Sequence, residues 1–307
     1  MNRISSEITA PSIQVPVERD ESASGLFGDL VMLVKARLTL LVLITTFVGF
    51  CMASGGNLDL LQLLYTLIGT ALVAAASQTL NQVIEIDVDR LMERTKNRPL
   101  PAGRIKRLHA LIFGITMAVT GLIVLAVTVN IPATAMAAAT LLIYLGLYTP
   151  LKRHTPFCIT VGAVAGAIPP ALGWVAAKPS MDAGAWVLFA ILFFWQMPHF
   201  LAIAWMYREE YAGAGFVMLR PRDKDGSVTA TESFIFTIAL LAAALAPYFL
   251  KLASPVYLVS AIVLNAVILL CAVQFLLNRT RNSSRRLFFA SIIYLPILLA
   301  LLVFARA

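Results

Sequence analysis

Nine apolar stretches separated by short polar loops occupy most of the chain, at approximately 35–53, 61–84, 108–128, 131–149, 157–176, 184–206, 234–252, 255–277 and 287–305. A helix needs about 20 apolar residues to cross a bilayer, and each stretch is close to that length. The pattern predicts an all-α integral membrane protein, a bundle of nine transmembrane helices over 35–307. Residues 1–34 are polar, with two prolines and no long apolar core, and predict a disordered tail. The longest loop is about 208–233, so no room is left for a soluble domain.

Composition agrees. The chain is 60% hydrophobic and 13% charged, far from the balance of a soluble domain. Its net charge of +8 does not point to nucleic acid, because the basic residues fall in short loops between apolar stretches. If the N-terminus is cytoplasmic, all of the 24 Lys and Arg except Lys178, Lys251 and Arg306 lie on the cytoplasmic side. The positive-inside rule then predicts the N-terminus in the cytoplasm and the C-terminus outside, in a bacterial plasma (inner) membrane. Cys51, Cys158 and Cys271 are scattered in or beside apolar stretches, which predicts no disulfide framework.

One stretch, residues 81–103, reads N-Q-V-I-E-I-D-V-D-R-L-M-E-R-T-K-N-R-P-L-P-A-G and follows an uncharged apolar run. Asn81, Glu85 and Asp89 are four apart and share a helix face. Three oxygen-bearing side chains in a row suit a hard divalent cation such as Mg²⁺, which shares its shell with phosphate. Without a cation, like charges at that spacing repel. Arg90, Arg94 and Arg98 repeat the spacing and can grip a polyanion, and Pro99 and Pro101 are expected to end the helix. The plainer alternative is a solvated helix extension with internal ion pairs.

Other polar groups sit close to or within the apolar stretches. Tyr148 and Lys152 are one helical turn apart and can both donate to a phosphate oxygen, or serve as interfacial anchors. Gln196 and His199 lie inside the sixth stretch beside Pro198; such groups are costly in a membrane and face a cavity or a partner. Gln196, one turn before His199, is the nearest partner in sequence. Glu209 and Glu210 form a second acidic pair. Gly162 and Gly166 predict close helix packing, with room for a flat ligand as the alternative.

N-x-x-x-E-x-x-x-D followed by R-T-x-x-R-P-L-P-x-G resembles the first motif of the UbiA superfamily of intramembrane prenyltransferases. Tyr148 and Lys152 resemble its Y-x-x-x-K loop. Y-T-P-L-K-R-x-T, G-A-I-P-P-A-L-G-W, W-Q-M-P-H-F and E-Y-A-x-A-G-x-x-M-L resemble its haem-farnesylating branch. The resemblance implies a helix bundle around a central cavity open to the cytoplasmic side. It implies attack of a haem B vinyl group on farnesyl diphosphate, with a haem A synthase as a downstream partner. Asn81, Glu85 and Asp89 would hold Mg²⁺, with Glu209 and Glu210 in the place of the second aspartate motif. Arg94, Lys96, Arg98, Lys152 and Arg153 would surround the diphosphate, with Tyr148 beside them, and Gln196 and His199 would meet the haem. The second aspartate motif is not intact, Lys35-Ala36-Arg37 stands where Lys-Pro-Arg is common, and Val217 replaces a frequent proline. Two other readings are a sister enzyme that prenylates an aromatic quinone precursor and a multi-pass transporter.

Overall fold

The computed structural model describes residues 25–306, and helices account for nearly all of them. A short helix α1 (Leu26–Leu33) leads into α2 (Ala36–Ala53), α3 (Leu60–Asp89) and α4 (Arg107–Thr128). α5 (Ile131–Leu141) widens into a π-helix over Leu142–Tyr148 and closes in α6 (Thr149–Leu151). Then come α7 (Cys158–Ala177), α8 (Ala183–Met206), α9 (Arg208–Gly213), α10 (Ser227–Phe249), α11 (Pro255–Asn278) and α12 (Arg281–Phe304). Taking Ile131–Leu151 as one, nine helices among the described residues are long and apolar enough to cross a membrane.

Local chemistry sets the starts. Asp59, Asn130 and Asp182 accept backbone N–H groups of the first turns of α3, α5 and α8, satisfying donors that the helix itself leaves open. Thr280 and Ser283 form a reciprocal capping box at α12. This box carries α12 back to Arg281, ahead of the apolar run from 287. α10 likewise starts at Ser227 rather than 234. Asp223 accepts from Val228 N (3.0 Å) and Thr229 N (2.8 Å), and the Ser233 and Thr237 hydroxyls bond to carbonyls one turn back. Polar side chains that satisfy themselves along the helix extend it beyond its hydrophobic signal.

One further expectation changes. Of the tail expected over 1–34, residues 1–24 lie outside those described, and Leu26–Leu33 is helical. The Gln82 amide donates to Leu33 O (2.6 Å), and the Arg104 guanidinium reaches Asp29 (2.9 Å), so α1 packs beside the charged end of α3. The three cysteines are free, as expected.

Core residues fall into a larger group centred on α8, α10, α11 and α12 and a smaller one between α2, α3, α5 and α7. α2 and α7 meet backbone to backbone: a Cβ on Gly49 would overlap Pro170 O, and one on Gly173 would overlap Thr46 O. Outward faces carry Leu38, Phe113, Val259 and Leu270 exposed, which suits lipid rather than water. Because helices alternate direction, the ends of α3, α6 and α8 and the starts of α2 and α7 gather at one end of the bundle. We call it the basic end, since the basic loops converge there.

Candidate active site

α3 continues past its apolar part and stops at Asp89. The helix expected to reach Pro99 ends ten residues sooner, for a local reason. Leu91 N bonds Val88 O (2.9 Å), a tighter step than the helix uses, and the Thr95 hydroxyl takes Asp89 O (2.8 Å). The chain then turns through 90–104 and folds back. This return, not helical spacing, brings Arg98 Nη1 to 2.7 Å from Asp89 Oδ2.

Asn81, Glu85 and Asp89 line one face of α3 as the spacing predicts, all buried. The Asn81 amide donates to Glu85 Oε2, which leaves the Asn81 carbonyl oxygen open for a cation. Lys152 Nζ meets both Glu85 oxygens, at 2.8 and 3.0 Å. Its ammonium also lies 4.4 Å from the centre of the Tyr148 ring and 5.7 Å from that of Phe216. Tyr148 stands where a Cβ on Gly162 would be, so that glycine is a notch for the ring. Val217 N bonds Lys152 O (2.7 Å), which ties the loop after α9 to the same corner. The π-helix before Lys152 is the kind of local widening that recurs at functional sites.

Such an arrangement is costly. Each buried ion loses several kcal/mol of hydration, which the pairing only roughly returns. Two carboxylates one turn apart, each faced by its own cation, therefore form a poised charge cluster rather than a stabilising device.

A residue that the sequence reading passed over completes this corner. Lys35 is half-buried at the junction of α1 and α2 in the left-handed region (φ 45°, ψ 60°), a conformation that costs a non-glycine residue roughly 1–3 kcal/mol. Burial, then repulsion from the Arg98 and Lys152 cations, pushes its ammonium down to about 7 against the opposing pull of Glu85 and Asp89. In the sequence it stood out only as part of Lys35-Ala36-Arg37, where Lys-Pro-Arg is common, with no role in the site attached.

The remaining expected residues divide. Arg94 turns to α9, with its guanidinium 3.3 Å from the Tyr211 hydroxyl and between the Tyr207 and Tyr211 rings. Its backbone N–H meets Glu210 at 3.4 Å, so Glu210 borders the first motif. Glu209 is 89% exposed beside Arg208 and faces away. Lys96 forms a surface pair with Glu93 (2.7 Å), and Arg153 is exposed; neither reaches the carboxylates. Among the described residues no three His, Cys, Asp or Glu side chains converge, so Glu209 and Glu210 do not join Glu85 and Asp89 in one ligand set.

Gln196 and His199 face different helices. The Gln196 amide donates to Leu192 O (3.1 Å) and Ala163 O (3.3 Å), and it occupies the space a Cβ on Gly166 would need. Gly162 and Gly166 of α7 thus admit protein side chains rather than leaving a slot for a flat ligand. His199 is not satisfied by Gln196. It lies between Trp195 and Phe288, with centroids at 5.1 and 4.9 Å, and its Nδ1 is 2.7 Å from Ser291 of α12.

Residues 42–293 match the UbiA prenyltransferase family. The chain is 42% identical over 287 residues to the protoheme IX farnesyltransferase of Solibacter usitatus, covering 91% of this chain and 98% of that one. It is 40% identical over 275 residues to the mitochondrial protoheme IX farnesyltransferase of Homo sapiens, covering 90% and 61%. Among solved structures, a digeranylgeranylglyceryl phosphate synthase superimposes with a TM-score of 0.77 at 18% identity, covering 91% of this chain and 98% of that one. A UbiA homologue from Archaeoglobus fulgidus bound to GPP and Mg²⁺ does so with a TM-score of 0.62 at 17% identity, covering 89% and 99%. These folds are alike in architecture, and the closer sequence matches extend along almost the whole chain. The chain belongs to the UbiA prenyltransferase family.

Proposed function

We propose that this chain transfers the farnesyl group of farnesyl diphosphate to a vinyl group of haem B, giving haem O. A vinyl carbon bonds to C1 of the farnesyl chain as the bond from C1 to the diphosphate oxygen breaks. Water adds to the resulting cation and loses a proton, which leaves a hydroxyethylfarnesyl substituent. The observation that carries the reading is the buried Asn81, Glu85 and Asp89 face, with Lys152 and Arg98 on its carboxylates, on a chain with full-length likeness to protoheme IX farnesyltransferases.

The donors fit Mg²⁺: one amide oxygen and two carboxylates, with the rest of the shell left to water and phosphate. Asn81, Glu85 and Asp89 would hold Mg²⁺, which would supply positive charge to the diphosphate oxygens of the leaving group. The chain's own cations do the rest. Lys152 and Arg98 already lie at the site, and an incoming diphosphate offers each a second anion. Lys35 and Arg94 flank them, and the Tyr148 hydroxyl is a further donor. Lys96 and Arg153 stand at the rim and act on the approach of the diphosphate rather than on bound substrate, while Glu209 faces away beside Arg208. Glu210 holds the Arg94 segment in place. Apolar and aromatic walls shield the allylic cation from water. For the acceptor, Gln196 braces α8 against α7, and His199 offers a nitrogen to the haem iron.

The basic end then faces the cytoplasm and the C-terminus lies outside, in a bacterial inner membrane, with a haem A synthase to consume the product. The test is incubation of the purified protein in lipid with haem B, farnesyl diphosphate and Mg²⁺, followed by mass measurement of extracted haem. Haem heavier by a farnesyl group and one water supports the reading. Unchanged haem, with an aromatic quinone precursor prenylated in its place, overturns it.

A further inference from the structure

His199 touches one partner by hydrogen bond among the described residues, the Ser291 hydroxyl at 2.7 Å. That hydroxyl has another neighbour, the carbonyl of Phe288 at 2.6 Å. A carbonyl can only accept, and a serine hydroxyl has a single hydrogen to give. With the hydrogen on the bond to Phe288 O, the serine oxygen can only accept from the imidazole. In that arrangement Nδ1 carries the proton and Nε2 keeps its lone pair.

The surroundings hold the ring in that attitude. Trp195 and Phe288 stack on its two faces, tilted by 22° and 28°. Trp195 Nε1 in turn donates to the backbone carbonyl of Ser291 (2.7 Å). Ser291 is fully buried and so anchors both the imidazole and one of its stacking partners. A histidine kept only to join α8 to α12 has no need of an accessible second nitrogen; here Nδ1 is engaged, and Nε2 has no hydrogen bond among the described residues on a ring that is half-buried.

Resting on the haem reading above, we infer that Ser291 is a positioning residue that fixes the His199 tautomer, so that Nε2 is presented to the iron of the porphyrin substrate. A hydrogen bond to the far nitrogen of an imidazole ligand is the usual device for setting its orientation and basicity. The ligand class is an iron porphyrin with an open axial position.

The experiment titrates haem into the purified full-length protein and follows the Soret absorbance for wild type, Ser291→Ala, Ser291→Thr and His199→Ala. Loss of such an outer partner weakens metal binding by about 10–100-fold. Ser291→Ala is expected to bind haem at least tenfold more weakly with a shifted Soret band, and Ser291→Thr, which keeps the hydroxyl, to stay close to wild type. Binding of a non-hydrolysable farnesyl diphosphate analogue with Mg²⁺ is expected to be unchanged in all four, which shows that each is folded. Wild-type haem affinity and spectrum in Ser291→Ala overturn the inference, as does a His199→Ala spectrum identical to wild type. Formation of haem O by wild type in either case leaves the farnesylation reading standing. Absence of haem O together with a His199-dependent spectrum defeats farnesylation alone.

Discussion

Removing Lys152 alone is expected to unfold much of what removing Lys152 and Glu85 together leaves intact. The two side chains are 11% and 8% exposed and meet at 2.8 Å. At an effective dielectric of about 20 their attraction is roughly 6 kcal/mol, and desolvation of the two ions offsets most of it. Lys152→Met strands a buried carboxylate already one turn from Asp89, at a cost of about 3–5 kcal/mol. Glu85→Gln with Lys152→Met removes both charges and is expected to melt close to wild type. Under the proposed function catalysis responds differently, because the ammonium is then the group offered to the departing diphosphate. Loss of one such donor lowers turnover by about 10²–10³-fold, and the second substitution cannot restore it. Thermal melting in detergent and farnesyl transfer in lipid, measured on wild type, both single variants and the double variant, separate the two quantities. A double variant that recovers turnover together with stability refutes the reasoning, since the pair would then be structural only.

Lys35, with its ammonium pushed down to about 7, is partly neutral in the free protein near neutrality. Bound diphosphate favours the charged form, so affinity for a farnesyl diphosphate analogue is expected to be strongest below about pH 7 and to fall as pH rises above it, while Lys35→Arg stays flat. Lys96→Ala and Arg153→Ala, both at exposed positions, are expected to change KM for farnesyl diphosphate less than threefold, against a tenfold or larger rise for Arg98→Ala; the KM values decide it. Gly162→Ala pushes a methyl group into the Tyr148 ring and is expected to cost about 1–3 kcal/mol in an unfolding measurement, with reduced turnover because Lys152 rests on that ring.

Hydropathy alone was enough to place the nine spans, because lipid demands long apolar helices and little else competes with that signal. Its errors fall where polar residues satisfy themselves, at Ser227–Ser233 and at the capping box of α12. The shared face of Asn81, Glu85 and Asp89 was legible from four-residue spacing, since α3 stays regular as far as Asp89. The positions of the basic residues were not. Arg98 reaches Asp89 only because the Thr95 hydroxyl captures a helix-end carbonyl, and Lys35 reaches the site through a left-handed residue. The roles of Gly162, Gly166 and Gln196 depend on which helices become neighbours, and the partner of His199 lies 92 positions away. No local spacing encodes these contacts.

Under the proposed function, Asn81, Glu85 and Asp89 bind diphosphate through a divalent cation. Calorimetric titration of a non-hydrolysable farnesyl diphosphate analogue, with and without Mg²⁺, into wild type and Asp89→Asn tests it most directly. Wild type is expected to bind tightly only when Mg²⁺ is present, and binding is expected to weaken at least tenfold in Asp89→Asn, which keeps the shape but loses the charge. Equal affinity with and without the metal, or wild-type affinity in Asp89→Asn, would contradict it.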